Sequence, residues 1–218
     1  MHKVNFDLTE NGKLRQVLCL GAHSDDIEIG CGGTILRLAE ENPGLCFTWV
    51  VFGAGGTRGE EALNSANSFL ATAWEKQIII KEFRDGFFPY IGGEIKQFFE
   101  QLKRMVSPDL ILTHYRHDMH QDHRLICELT WNTFRDHLIW EYEIPKYDGD
   151  LGAPNLFFNL DERLCEQKVS YLMEHFRTQK VKPWFTKDTF FSILRLRGVE
   201  ARSPGHYAEA YYCHKVVF

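Results

Sequence analysis

One stretch of the sequence, residues 21–33, brings an imidazole and several carboxylates together in the order GAHSDDIEIGCGG. Neutral imidazole and carboxylate oxygen are ligands that suit zinc, and a third such ligand would complete an open catalytic site. Because Asp25 and Asp26 are adjacent, their side chains diverge in any extended or turn conformation. We therefore expect different roles for them, with one binding a metal beside His23 and the other facing a substrate.

A structural interpretation of the same acids is also open. Aspartate is a common N-cap residue, and acids in the first turn of a helix interact favourably with the helix dipole. Apolar residues at helical spacing follow at 35–39, so a helix does begin close to these carboxylates. Residues 21–33 alone leave both interpretations standing.

A second polar cluster, residues 114–123, has the sequence HYRHDMHQDH. Its four histidines recur at a spacing of three, and two aspartates, Asp118 and Asp122, lie among them. A lone histidine here would indicate a polar loop whose aspartates cap the next helix. Four histidines together favour a metal or catalytic role instead.

Each cluster directly follows a short apolar run that is typical of a buried strand. Residues 17–20 precede the first cluster, and residues 109–113 precede the second. In an open α/β sheet, ligands bind in the crevice at the carboxyl ends of the strands. The two clusters are therefore expected to face each other across one such crevice.

The remaining chain alternates in the same way. Further strands are predicted at 45–52 and 77–83, and residues 140–160 are predicted to be a loop region with short strands. Helical spacing of apolar residues predicts helices around 35–39, 59–75, 92–106, 123–137, 161–176 and 187–198. Strands that alternate with helices predict βαβ units and a mostly parallel sheet, which is an α/β fold.

Composition limits the class of protein. A chain of 218 residues with 44% apolar residues is expected to form one globular domain over residues 1–218. The net charge of −5 disfavours nonspecific binding to nucleic acid. Six scattered cysteines without a C-x-x-C pair indicate reduced thiols. With neither a signal peptide nor a membrane span recognisable, a cytoplasmic location is expected.

The two clusters resemble the motifs of the PIG-L/LmbE-like family of zinc-dependent N-deacetylases. Residues 22–28, AHSDDIE, are similar to the family's A-H-P-D-D-x-E, and residues 118–123, DMHQDH, to its D-x-H-x-D-H. Weaker similarity is found in three further segments, 56–61, 148–152 and 207–210. The resemblance implies a Rossmann-like three-layer sandwich with its site at the carboxyl ends of the strands. The sequence departs from the family at position 24, where serine replaces the usual proline, which affects only the stiffness of that turn.

Transferred position by position, the resemblance implies three zinc ligands: His23, Asp26 and His123. It implies that Asp25 is the general base and that His120 stabilises the oxyanion or protonates the leaving amine. Asp122 would then orient His120. Arg58 resembles an arginine that lines the substrate pocket in the family.

These implied roles agree with the chemistry of amide hydrolysis. Three protein ligands leave zinc a fourth position for water, whose pKa falls to about 7 when it is bound. A preorganised donor at the oxyanion typically lowers the barrier by ~3 kcal/mol. Metal ligands also need partners that orient them, and Asp118 is a candidate for that role. A turn or cap role for Asp118 is the alternative.

The predicted function is a zinc-dependent hydrolase that removes the N-acetyl group from an N-acetylated amino sugar or its conjugate. Iron(II) or another divalent ion can occupy such a site. One alternative is a zinc amidase that acts on thiol conjugates or other acylated amines. Another is a Rossmann-like module that holds a nucleotide on the glycines of residues 30–33, although these match G-x-G-x-x-G poorly. The expected partner is a small molecule, without nucleic acid or membrane, and a homo-oligomer is left open.

Overall fold

A single mixed sheet forms the middle layer of the protein. The computed structural model describes residues 14–217. Within these residues the strands are β1 (Gln16–His23), β2 (Cys46–Gly53), β3 (Glu75–Ile80), β4 (Leu110–His114), β5 (Leu138–Tyr142), β6 (Leu156–Leu160) and β7 (Tyr207–Tyr212). Their order across the sheet is β3-β2-β1-β4-β5-β7-β6. Strands β1 to β5 pair in parallel, whereas β7 is antiparallel to both β5 and β6.

Helices cover both faces of this sheet. Within residues 14–217 they are α1 (Asp26–Glu41), α2 (Gly56–Phe69), α3 (Gly92–Met105), α4 (Gln121–Thr133), α5 (Glu162–His175) and α6 (Lys187–Ala201), with 3-10 helices at Phe88–Ile91 and Arg177–Val181. Alternate side chains of β1 enter different cores, because Val17 packs among residues of α1, α2, α5 and α6 while Leu18 packs among those of α3 and α4. The predicted α/β three-layer fold with a mostly parallel sheet is confirmed.

The largest difference from the predicted elements is β5. Residues 138–142 form a strand that pairs in parallel with β4 along its whole length, where the sequence predicted a helix to residue 137 and, from residue 140, a loop region with short strands. Helix α4 accordingly ends at Thr133 rather than 137, and α2 covers Gly56–Phe69 rather than 59–75. The prediction of one domain over residues 1–218 stays a prediction, since residues 1–13 and 218 lie outside the described part.

Helix α1 is kinked close to its start. Cys31 has non-helical backbone angles, φ −144° and ψ 16°, so the helix in effect begins a second time. The freed amides of Gly33 and Thr34 donate to the carboxylate of Glu209 on β7, at 2.8 and 2.6 Å. The ammonium of Lys168 on α5 lies 2.6 Å from the same carboxylate. This buried ion pair ties α1 to β7 and α5.

The glycines of residues 30–33 allow α1 to pack closely on its neighbours. A Cβ at Gly30 would collide with the ring of Tyr142, and one at Gly32 would lie 2.6 Å from Phe69. Gly33 is enclosed in the same way by the side chain of Leu160. The run therefore serves helix packing, which removes the support for a nucleotide site on these glycines.

Two further features concern the cellular setting. Among residues 14–217, no helix is long and apolar enough to cross a lipid bilayer. All six cysteines are free thiols, and four of them are buried. The free thiols agree with the expectation of reduced cysteines.

Candidate functional site

The two polar clusters lie side by side because β1 and β4 are parallel neighbours. His23 is the last residue of β1, and Asp26 is the first residue of α1. His114 ends β4, and His123 follows in the first turn of α4. The carboxyl ends of the two strands thus bring together residues about a hundred positions apart.

Three buried atoms that could coordinate a metal ion converge at this edge of the sheet. Nδ1 of His23 lies 3.4 Å from Oδ2 of Asp26 and 3.2 Å from Nε2 of His123. The third distance, from His123 Nε2 to Asp26 Oδ2, is 3.4 Å. A tetrahedral ion with bonds of about 2.0–2.1 Å needs ligand atoms about 3.3–3.4 Å apart. The three residues therefore fit one small divalent cation.

Hydrogen bonds fix the direction of both imidazoles. Oδ2 of Asp118 lies 2.9 Å from Nδ1 of His123, and since an ionised carboxylate only accepts, the histidine donates. Nε2 of His23 similarly donates towards Oδ2 of Asp122 at 3.2 Å and Oδ1 of Asp85 at 3.0 Å. A neutral ring that makes these bonds carries its proton on the outer nitrogen and presents the lone pair of the other nitrogen to the converging atoms. Burial lowers the pKa of His23, but the charge of Asp26 and the hydrogen bonds to neighbouring carboxylates together outweigh it and raise that pKa well above its ordinary value.

His114 lies against two of these possible metal ligands, Asp26 and His123. Its Nε2 is 3.3 Å from Asp26 Oδ2, but the same nitrogen accepts a hydrogen bond from the amide of Ala22 at 2.9 Å. Burial, together with the neighbouring His123, lowers the pKa of His114 to about 4. His114 is therefore a neutral packing residue whose ring stacks on His123 with centroids 4.0 Å apart.

His120 stands over the converging atoms, with its ring centroid 4.8 Å from that of His23 and 4.5 Å from that of His123. Its Nδ1 accepts a hydrogen bond from the amide of Asp122 at 3.3 Å. Burial lowers the pKa of His120, so the neutral ring carries its proton on Nε2. Among the described residues, three further groups of ligand atoms also lie close enough to hold one ion: His23, His120 and His123; His23, Asp85, His120 and Asp122; and Asp26, His114 and His123.

The Asp122 carboxylate forms no hydrogen bond with the ring of His120, which was its predicted partner. Besides facing His23, it accepts hydrogen bonds from the amides of Gly86 at 2.6 Å and Phe88 at 3.1 Å. Its position in the first turn of α4 directs the side chain at the 86–88 backbone, so only its amide contacts the ring of His120. The prediction that Asp122 orients His120 is corrected accordingly: its carboxylate orients His23.

Asp25 is buried beside the converging atoms. Within residues 14–217 its carboxylate has no hydrogen-bond partner, unlike that of Asp26, which accepts from the His23 amide at 2.7 Å. Burial, and then the charge of Asp26, raise the pKa of Asp25, while Lys182 and Arg58 act in the opposite direction. The result is a carboxylate that is available to accept a proton.

Arg58 lies near the N-terminus of α2, at the edge of the site. Its Nη1 is 2.6 Å from Oδ2 of Asp85, and its Nε lies 3.4 Å from Oγ of Ser24. Sequence reasoning did not find Asp85, which connects Arg58 to the outer nitrogen of His23. The segment around Asp85 has the composition of an ordinary turn and gives no signal of this role.

Comparison with known proteins identifies the family. The model of the PIG-L family, described as GlcNAc-PI de-N-acetylase, matches residues 18–134, which is more than half of the chain. The chain belongs to the PIG-L family. The matched residues contain both polar clusters, all of β4 and all but the first two residues of β1.

Three proteins to which this PIG-L protein is similar share 18–25% sequence identity with it. The uncharacterized deacetylase YaiS of Escherichia coli (strain K12) is 25% identical over 175 residues, which are 77% of this chain and 94% of YaiS. The N,N'-diacetylchitobiose deacetylase of Pyrococcus horikoshii superposes with a TM-score of 0.69 at 20% identity, covering 92% of this chain and 84% of that one. GalB of Pseudomonas putida KT2440, a 4-carboxy-2-hydroxymuconate hydratase, gives 0.73 at 18%, covering 94% and 99%. At these identities the two structures establish a shared fold.

Proposed function

We propose that this protein is a zinc-dependent hydrolase that removes the N-acetyl group from an N-acetylated amino sugar or its conjugate. The observation that carries the proposal is the convergence of His23, Asp26 and His123 at 3.2–3.4 Å, with the free carboxylate of Asp25 beside them. Membership in a family described as a de-N-acetylase supports the reaction type. The sugar substrate is supported by the resemblance of both motifs and by the chitobiose deacetylase among its structural neighbours.

His23, Asp26 and His123 would hold the metal ion. Two imidazoles and one carboxylate suit zinc and also suit iron(II), so the ligand set supports a divalent ion more strongly than one element. When bound, the ion supplies an acidified water molecule and polarises the amide carbonyl. The ligand geometry would depend on Asp118, which holds His123, and on Asp122 and Asp85, which face His23.

Asp25 would act as the general base. Its carboxylate is buried, hydrogen-bonds no described group and has a pKa raised by burial and by Asp26, so it binds a proton more readily than an exposed aspartate. The proton that it takes from water is then available for the leaving nitrogen, which must gain one as the amide bond breaks. A positioned base contributes about 10²–10⁴-fold in rate.

His120 would stabilise the developing oxyanion. Because its Nδ1 already accepts the Asp122 amide, the N–H at Nε2 can donate to an oxygen that becomes negative. A neutral ring is sufficient for that donation. The pKa of His120 is lowered by burial, which favours this role over that of an acid for the leaving amine.

Arg58 is proposed to contact the substrate at the rim of the site. The ion pair with Asp85 holds its guanidinium over the turn that carries Ser24, next to the buried Asp25. An amidase acting on thiol conjugates or other acylated amines would use the same residues, so only products separate the two activities. We also propose a cytoplasmic location, where the six free thiols would stay reduced.

Acetate release from a panel of N-acetylated compounds tests the proposal. The panel should contain N-acetylglucosamine, N,N'-diacetylchitobiose, an N-acetylated thiol conjugate and the hydratase substrate of GalB. We expect zinc-dependent acetate release from at least one amino sugar, and none from the His123→Ala variant. A protein that binds zinc but hydrates the GalB substrate and releases no acetate would contradict the proposed function.

A further inference from the structure

One buried carboxylate supports two residues of the site at once. Oδ2 of Asp118 accepts the Nδ1 hydrogen of His123 at 2.9 Å, and Oδ1 accepts the amide of His120 at 2.7 Å. Only 2% of Asp118 is exposed. The position of this carboxylate therefore determines both the direction of His123 and the backbone that leads into α4.

An ammonium from a different loop neutralises this carboxylate. Nζ of Lys146, in the connection between β5 and β6, lies 3.0 Å from Oδ2 of Asp118 and 2.5 Å from Oδ2 of Asp150. The Lys146 side chain is only 10% exposed. Asp150 also accepts the amide of Met119 at 2.7 Å, so the β5–β6 connection is joined to the loop before α4 at two points.

We propose that Lys146 is a positioning residue for metal binding, because its ammonium, shared by Asp118 and Asp150, keeps the Asp118 carboxylate on His123. This inference rests on the metal site of the proposed function. Without the ammonium, two buried carboxylates that now contact the same nitrogen would repel each other. Asp118 would then move away from His123, whose imidazole would lose its orientation.

A purely structural role for Lys146 makes a different prediction. In that case the ion pairs would only join two loops, and their loss would lower the stability of the metal-free protein without changing its affinity for metal. If Lys146 positions a metal ligand, its replacement must also weaken metal binding relative to the unchanged protein. Loss of a partner that orients a ligand typically costs about 10–100-fold in metal affinity.

The test measures the zinc dissociation constant by competition with a chromogenic chelator, and the thermal unfolding of the metal-free protein. We expect Lys146→Met to bind zinc about 10–100-fold more weakly than the unchanged protein. Lys146→Arg keeps the charge and is expected to recover most of the affinity. Lys96→Met is the matched control, because Lys96 forms a 2.5 Å ion pair with Glu100 on α3.

Wild-type zinc affinity in Lys146→Met would overturn the inference. If that variant does not fold, Lys146→Gln replaces it, since the amide retains donors without the charge. Equal zinc affinity in Lys146→Gln and Lys146→Arg would then overturn it. Failure of the unchanged protein to bind zinc would refute the proposed metal site itself, whereas failure confined to the Lys146 comparison would refute only this inference.

Discussion

The Nδ1 atom of His23 lies 3.2 Å from the Nε2 atom of His123, although 100 positions separate the two residues. The outer nitrogen of each ring donates to a carboxylate, so the two inner nitrogens face each other with lone pairs. The Asp26 carboxylate adds a third acceptor within 3.4 Å of both. With both rings neutral, these three lone-pair donors repel one another. A cation at their centre removes that repulsion, and in the metal-free protein a proton does part of the same work, since burial lowers the pKa of His23 but the charge of Asp26 and the hydrogen bonds to neighbouring carboxylates together raise it well above its ordinary value.

The first prediction concerns metal content. We expect about one divalent ion per chain after dialysis, measured by inductively coupled plasma mass spectrometry, and its loss in His23→Ala, His123→Ala and Asp26→Asn. His120→Ala should retain the ion. His117→Ala is the matched control, since His117 is exposed in the same loop. Loss of the ion in His120→Ala, combined with its retention in Asp26→Asn, would show that His120 is the third ligand.

The second prediction concerns Asp25. Replacement by asparagine keeps the size of the side chain but removes the proton acceptor, so the ion should remain while acetate release falls about 10²–10⁴-fold. Both quantities are measured on the same preparation. Asp136→Asn, at an exposed aspartate before β5, is expected to leave both unchanged. Full activity in Asp25→Asn would rule out its role as the base.

Most of the fold was predictable because its signals are local. Four strands, β1 to β4, are short apolar runs, and the helices between them have clear periodicity. Strand β5 was not found because Glu141 interrupts a run of only five residues. Its buried carboxylate is compensated by Arg116 and Trp131, each at 2.7 Å, and by His214 at 3.3 Å. Such compensation depends on tertiary structure and leaves no local pattern.

The same distinction applies to the site. The residues that converge belong to two contiguous motifs, each of which directly follows a strand. Because neighbouring parallel strands have their carboxyl ends at the same edge of the sheet, the sequence could predict that these motifs meet. Asp85 and Lys146 reach the site as single residues from loops that have no recognisable spacing. The partner of Asp122 was also missed, because the backbone of residues 86–88 comes close to α4 only in the folded chain.

The third prediction concerns thiol reactivity. Burial raises the pKa of Cys165 to about 12, and four thiols are buried: Cys19, Cys31, Cys127 and Cys165. Since the thiolate is the nucleophile, these four should not react with Ellman's reagent at pH 8 in the folded protein. Only the half-buried Cys46 and Cys213 should react, and all six should do so in urea. Reaction of a third thiol before unfolding would contradict the burial of these residues.

The fourth prediction concerns the ion pair at the kink of α1. Glu209→Gln removes the charge that compensates Lys168, while both side chains are only 2% exposed. The ammonium would remain buried without a counter-charge, and the amides of Gly33 and Thr34 would share one weaker acceptor. Breaking one partner of a buried pair typically costs about 3–5 kcal/mol. We expect a loss of that size in the free energy of unfolding of the metal-free protein, measured by urea denaturation.

A surface ion pair provides the control for this measurement. Arg163 lies 2.6 Å from Glu40, at a distance equal to that between Lys168 and Glu209, but its side chain is 58% exposed. Exposed pairs contribute about 0–1 kcal/mol, so Glu40→Gln should change the free energy of unfolding little. The difference between the two variants isolates the effect of burial at equal separation. If Glu209→Gln loses no more stability than Glu40→Gln, the ion pair does not hold α1 against β7 and α5.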